Sequence, residues 1–72
     1  MEFKVNITLR DTNGKWALLE FFDQDNLLTH LKMYSDFEDV YQIMMVEFNG
    51  HCIYHALNNN VCLFEDLIGY FA

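Results

Sequence analysis

Two Asn-Gly dipeptides, Asn13-Gly14 and Asn49-Gly50, stand 36 residues apart in a chain of 72 residues without a proline. Asn-Gly between alternating apolar segments is the strongest short-range hairpin signal, because both residues tolerate the positive φ of a tight turn. Before the first pair, Phe3, Val5, Ile7 and Leu9 alternate with Lys4, Asn6, Thr8 and Arg10, the period of a strand with one wet face. A three-residue loop with Gly14 left-handed sets Asp11 opposite Lys15. It also brings Ala17, Leu19 and Phe21 onto the face of Leu9, Ile7 and Val5. A two-residue loop would instead put Glu20 opposite Ile7, where burying the carboxylate is costly, so the longer loop is expected.

The same offset of 36 aligns Ile7 with Ile43, Leu27 with Leu63, Leu31 with Leu67 and Tyr34 with Tyr70. Asp11 matches Glu47 and Lys15 matches His51, an acid and a base bracketing each turn. The chain therefore reads as one ββα unit written twice, in halves of about 1–36 and 37–72. In the first half, Asp23, Asp25 or Asn26 caps a short helix with Leu27, Leu28 and Leu31 as its apolar stripe. In the second, residues 40–48 and 51–57 flank Asn49-Gly50, and Asn58-Asn59-Asn60 forms a turn and cap. A last helix then presents Leu63, Phe64, Leu67 and Phe71 on one side. The expected fold is α+β: a two-layer, four-stranded antiparallel sheet with two helices on one face, ββαββα.

One segment supports a competing reading. Ser35-Asp36-Phe37-Glu38 fits a capping box, and Phe37, Val40, Tyr41 and Met44 fall at helical spacing. The apolar run Ile43-Met44-Met45-Val46 before an Asn-Gly turn, and the match to the first half, favour a strand.

Seventy-two residues make a single domain (1–72), yet 53% are apolar and twelve are aromatic. So small a domain has few core positions, and the excess is expected to face another molecule. Period-two reading puts Trp16, Leu18, Phe22, Met44, Val46 and Tyr54 on the sheet face away from the helices. That face is expected to pack against a second copy or to hold a target, with Trp16 and Tyr54 as anchors. The N-terminal residues lack the apolar stretch of a signal peptide, and no run approaches the ~18 apolar residues of a membrane span. A cytoplasmic setting is expected, with no membrane partner and with Cys52 and Cys62 reduced.

Charge is distributed unevenly. Residues 1–22 hold three acids and three bases, whereas residues 23–72 hold eight acids against Lys32 alone, so the net −7 lies there. Four bases against eleven acids leave no basic stripe for direct nucleic-acid binding. Asp23, Asp25, Asp36, Glu38, Asp39, Glu65 and Asp66 are the candidate partner-binding acids, expected to gather on one outer patch. Helix dipoles account for Asp25 and Glu65, but not for an acidic connector with little compensating base.

Catalytic and metal chemistry finds little support. His51, Cys52, His55 and Cys62 lack the tight pairs of a zinc site, and on a regular strand Cys52 points away from the two histidines. A histidine at the turn, a half-buried His55 and two small thiols in the core are the expected roles. An electronegative surrounding raises thiol pKa and disfavours a cysteine nucleophile. The acid pairs have no cleft in which to differ, and His30 reads as a surface histidine. No Gly-rich phosphate loop or nucleotide fingerprint is present, and no cofactor or metal is expected.

The function expected is a small acidic, non-catalytic inhibitor that docks on the basic, nucleic-acid-binding surface of a protein, its carboxylates standing in for phosphates. In size, acidity and lack of catalytic residues the chain resembles small phage and mobile-element inhibitors: glycosylase-inhibiting, antirestriction and anti-CRISPR proteins. The alternative is a homodimeric regulatory or ligand-binding module using the apolar sheet face.

Overall fold

The computed structural model describes residues 2–57 and 62–72. The elements run β1 (Val5–Asp11), β2 (Trp16–Phe21), α1 (Gln24–Ser35), β3 (Tyr41–Phe48), β4 (His51–His55) and α2 (Phe64–Phe71). The strands form one antiparallel sheet in the order β2-β1-β3-β4, with the start of each hairpin at the centre. The ββαββα α+β reading holds, and residues 41–48 are strand. The proposed turn and cap at Asn58-Asn59-Asn60 lies outside the described residues.

The first hairpin folds as its sequence requires. Val5 pairs with Phe21, Ile7 with Leu19 and Leu9 with Ala17. Gly14 takes φ +81°, and its N–H donates to the Asp11 carbonyl at 3.0 Å. The Asp11 carboxylate accepts from the N–H groups of Asn13 and Lys15, both at 2.9 Å, so the loop carries its own side-chain brace.

The second Asn-Gly makes a different turn. Asn49 and Gly50 have φ of +50° and +85°, and Phe48 pairs directly with His51, which is a two-residue hairpin of the I′ kind. Glu47 and His51 are therefore not the counterparts of Asp11 and Lys15; Glu47 faces Cys52. Asn49 also holds the N-terminal segment. Its Oδ1 accepts from the Lys4 N–H at 2.8 Å, its own N–H donates to the Lys4 carbonyl at 2.8 Å, and its Nδ2 donates to the Glu2 carbonyl at 3.1 Å.

Two bulges decide which side chains reach the core. Thr8 pairs with Met45 but Leu9 with Ile43, so Met44 is an extra residue in β3. Val46 pairs with Tyr54 but Glu47 with Cys52, so Ile53 is an extra residue in β4. Each extra residue reverses the parity of the strand beyond it. Val46 (0% exposed) and Tyr54 (9%) consequently lie in the core, which corrects their expected place on the outer sheet face. His51 shares a face with Phe48 and His55 with Met45, so the two histidines are on opposite sides. Cys52 is exposed rather than a core thiol.

The helices cover one face. Asp23 caps α1, its carboxylate accepting from the Asn26 N–H at 3.0 Å, and Leu27 and Leu31 are buried. Phe64, Leu67 and Phe71 of α2 complete a single core with Val5, Ile7, Leu9, Phe21 and Ile43. Leu63, expected on the buried side of that helix, is instead its exposed N-cap residue. The helices run antiparallel. Gln24 Nε2 donates to the Phe71 carbonyl at one end, and Tyr34 stacks on Phe64 at 5.7 Å at the other.

Candidate functional site

The seven candidate carboxylates separate into two groups. Asp23 and Asp25 sit at the start of α1, beside the end of α2. Asp36, Glu38 and Asp39 follow the end of α1, and Glu65 and Asp66 open α2, at the opposite end of the helical layer. A twelve-residue helix lies between the groups, about 18 Å of rise. The expected single patch is corrected to one five-acid end and a separate pair, because the helices are antiparallel.

Within the five, two have structural work. A Glu38 carboxylate oxygen accepts the Phe64 N–H at 2.8 Å, and Asp66 reaches back to the Leu63 N–H at 2.9 Å. These bonds satisfy first-turn amides of α2 that have no partner within the helix. Asp36, Asp39 and Glu65 remain exposed. Among the described residues the ion pair is Lys4–Glu20 at 3.9 Å, and none of the five carboxylates joins one.

Beside these acids lies an apolar surface that the sequence reading did not assign. Met33, Phe37 and Val40 are exposed and, with Tyr34 and Tyr41, line a hollow of about 360 Å³. An adjoining hollow of about 350 Å³ shares Val40 and Tyr41 and is lined also by Asp11, Glu38, Asp39 and Arg10. The available signal was the order Asp36-Phe37-Glu38-Asp39-Val40, in which apolar residues interrupt the acids. The connector makes consecutive turns, with Phe37 N–H donating to the Tyr34 carbonyl and Val40 N–H to the Phe37 carbonyl, and this turns Phe37 and Val40 outward.

The outer sheet face keeps Trp16, Leu18 and Phe22 exposed and Met44 half-buried. Trp16 and Met44, with Met45, His55, Leu57, Thr8 and Arg10, surround a further hollow. His30 is half-buried, its ring 5.2 Å from that of Phe21 and its Nδ1 2.8 Å from the Asn26 carbonyl oxygen. Among the described residues no three His, Cys, Asp or Glu side chains converge to hold a metal ion. Nor is any described helix long and apolar enough to cross a membrane.

The Cys62 thiol has a displaced pKa. Burial pushes the thiol up to about 11, and the charges of Asp66 and Glu38 add to the rise. In a Cys52→Ser background, alkylation of Cys62 should keep accelerating with pH to about 11, and Glu38→Gln should bring its midpoint down; a plateau at pH 9.0 contradicts this. Between those pH values the folded chain keeps a proton that the unfolded chain has lost. Stability from this group is therefore complete below pH 9.0 and declines as pH rises toward 11.

No protein-family model matches the chain, and no curated protein or solved structure is significantly similar to it.

Proposed function

We propose that the protein is a non-catalytic inhibitor that occupies the basic, nucleic-acid-binding surface of a target protein through the end formed by its connector and the start of α2. The observation that supports this reading most is the company of Asp36, Asp39 and Glu65, exposed and outside any ion pair among the described residues, with exposed Met33, Phe37 and Val40. Carboxylates steer toward a basic surface and take the places of phosphates, while an aromatic and aliphatic cleft supplies the area that anchors a contact. Unpaired like charges crowded at one end destabilise a small domain, a cost that binding a cationic partner relieves. Asp23 and Asp25 are outside this contact. A reducing, cytoplasmic setting suits the reading, since Cys52 and Cys62 are both free.

Competition on a duplex-DNA resin tests it. Host-lysate proteins held on the resin at low salt are challenged with the pure chain. A defined DNA-binding protein should elute, and the chain should form a complex with it that weakens steeply as salt rises. The triple variant Asp36→Asn, Asp39→Asn, Glu65→Gln should lose at least about tenfold in affinity, as expected for three rim charges. Equal displacement by the triple variant, or affinity unchanged between low and high salt, rejects the reading.

A further inference from the structure

We infer that the outer face of the sheet is the contact between two copies of this chain, packed sheet to sheet. Across the strands this face is ordered in rows. Trp16, Arg10 and Gln42 make one; Leu18, Thr8, Met45 and His55 make the next; Glu20, Asn6, Glu47 and Cys52 make the third. In the first two rows Trp16 is 58% and Leu18 60% exposed, and Leu57 beside them is 85% exposed. Together these side chains leave on the order of 400 Å² of apolar surface open, as large as the main apolar patch of a typical monomer, and Phe22 stands beyond the Glu20 row. Adding the polar rim of the four strands brings the face near the ~800 Å² per partner that a stable pair needs.

Charge identifies the occupant. The chain carries −7, but this face carries Lys4 and Arg10 against Glu20 and Glu47, a balance of zero. It is the side on which two copies meet without bringing their acids together, and it offers nothing to favour a basic partner. The face also complements itself. A twofold axis lying across the strands along the Leu18–Thr8 row sets Arg10 of each copy over the Glu20 and Glu47 row of the other. Such an isologous contact closes on itself and stops at two. Neither helix takes part; Arg10 and Gln42 border the hollow beside Glu38 and Asp39, but Asp36, Asp39 and Glu65 lie outside the contact, so both acidic ends stay free.

Light scattering on the whole chain, with the fluorescence of its sole tryptophan, Trp16, provides the test. At about 100 µM the mass should be twice the 8.6 kDa of one chain. Trp16 emission should move to the blue as concentration rises, and the mass should hold or grow with added salt, the opposite of acid-driven docking. Leu18→Glu and Trp16→Lys should each give 8.6 kDa with far-UV dichroism and a cooperative melt retained. The triple acid variant should stay double, and Leu18→Glu should still compete on the DNA resin, which separates failure of one surface from failure of the other. A single-chain mass at that concentration with Trp16 emitting as a fully hydrated indole overturns the inference. So does a pair that survives both sheet-face substitutions or dissociates in the triple acid variant.

Discussion

Phe64→Ala should leave the protein at or beyond the edge of unfolding at room temperature. Phe64 has no exposed surface and is the largest fully buried side chain, stacked on Tyr34 at 5.7 Å with its amide held by Glu38. Truncating a buried phenylalanine costs about 3–5 kcal/mol, and the lost ring pair adds about 0.5–1.5 kcal/mol. A chain of this length has roughly 4–10 kcal/mol in total. The loss is therefore comparable to everything that keeps the domain folded. Because Phe64 joins the end of α1 to the start of α2, its removal also opens a cavity that neither helix can close alone. Urea denaturation should show the midpoint collapsing, whereas exposed Phe37→Ala should change it little. A Phe64→Ala loss below about 1 kcal/mol would mean that this helix junction is not where the two halves are joined.

Adjacent residues in β3 should respond oppositely to the same change. Val46→Lys introduces a charge at a fully buried position with no acceptor reserved for it, a loss of about 4 kcal/mol or more. Met45→Lys places the same group on the outer face opposite Thr8 and His55, where in the single chain the ammonium reaches water, so the fold is kept although the contact between copies is lost. Thermal melts of the two variants read the bulge at Met44 directly. Without the bulge, strict alternation from Ile43 would bury Met45 and turn Val46 outward, and the two substitutions would exchange their effects. Equal tolerance of both would show that β3 is not held in the bulged register.

Much of the fold was legible because it is encoded locally. The alternation of Val5, Ile7 and Leu9, the Asp11 brace and the left-handed Gly14 specify the first hairpin within seventeen residues, register included. Asp23 followed by Leu27 and Leu31 is enough to start and orient α1. The second half is less explicit. Asn49-Gly50 marks a turn, but the dipeptide suits both a two-residue and a three-residue loop, and the residues flanking it did not discriminate.

The candidate surfaces were legible in kind and not in place. Trp16 and Leu18 come from an unbulged strand and Phe22 directly follows it, so counting by two works, and all three are exposed. Val46 and Tyr54 come from bulged strands, where counting by two fails. Composition located the acids along the chain, but their division into two ends follows from the antiparallel helices. The reach of Glu38 to an amide 26 residues away is a long-range contact with no local trace.

Amino-acid order alone settled the types of five elements, the positions of both turns and the excess of acid in the later two-thirds, whereas residues 35–46 stayed open between helix and strand until β3 paired with β1. Loop length at Asn49-Gly50, the bulges at Met44 and Ile53 and the employment of Glu38 and Asp66 as caps were settled by packing. Burying Val46 and Tyr54 contributes about 1.5–3 kcal/mol apiece, while interrupting a ladder costs about 1 kcal/mol for each hydrogen bond given up. The core therefore sets the register, and the strands bulge to meet it.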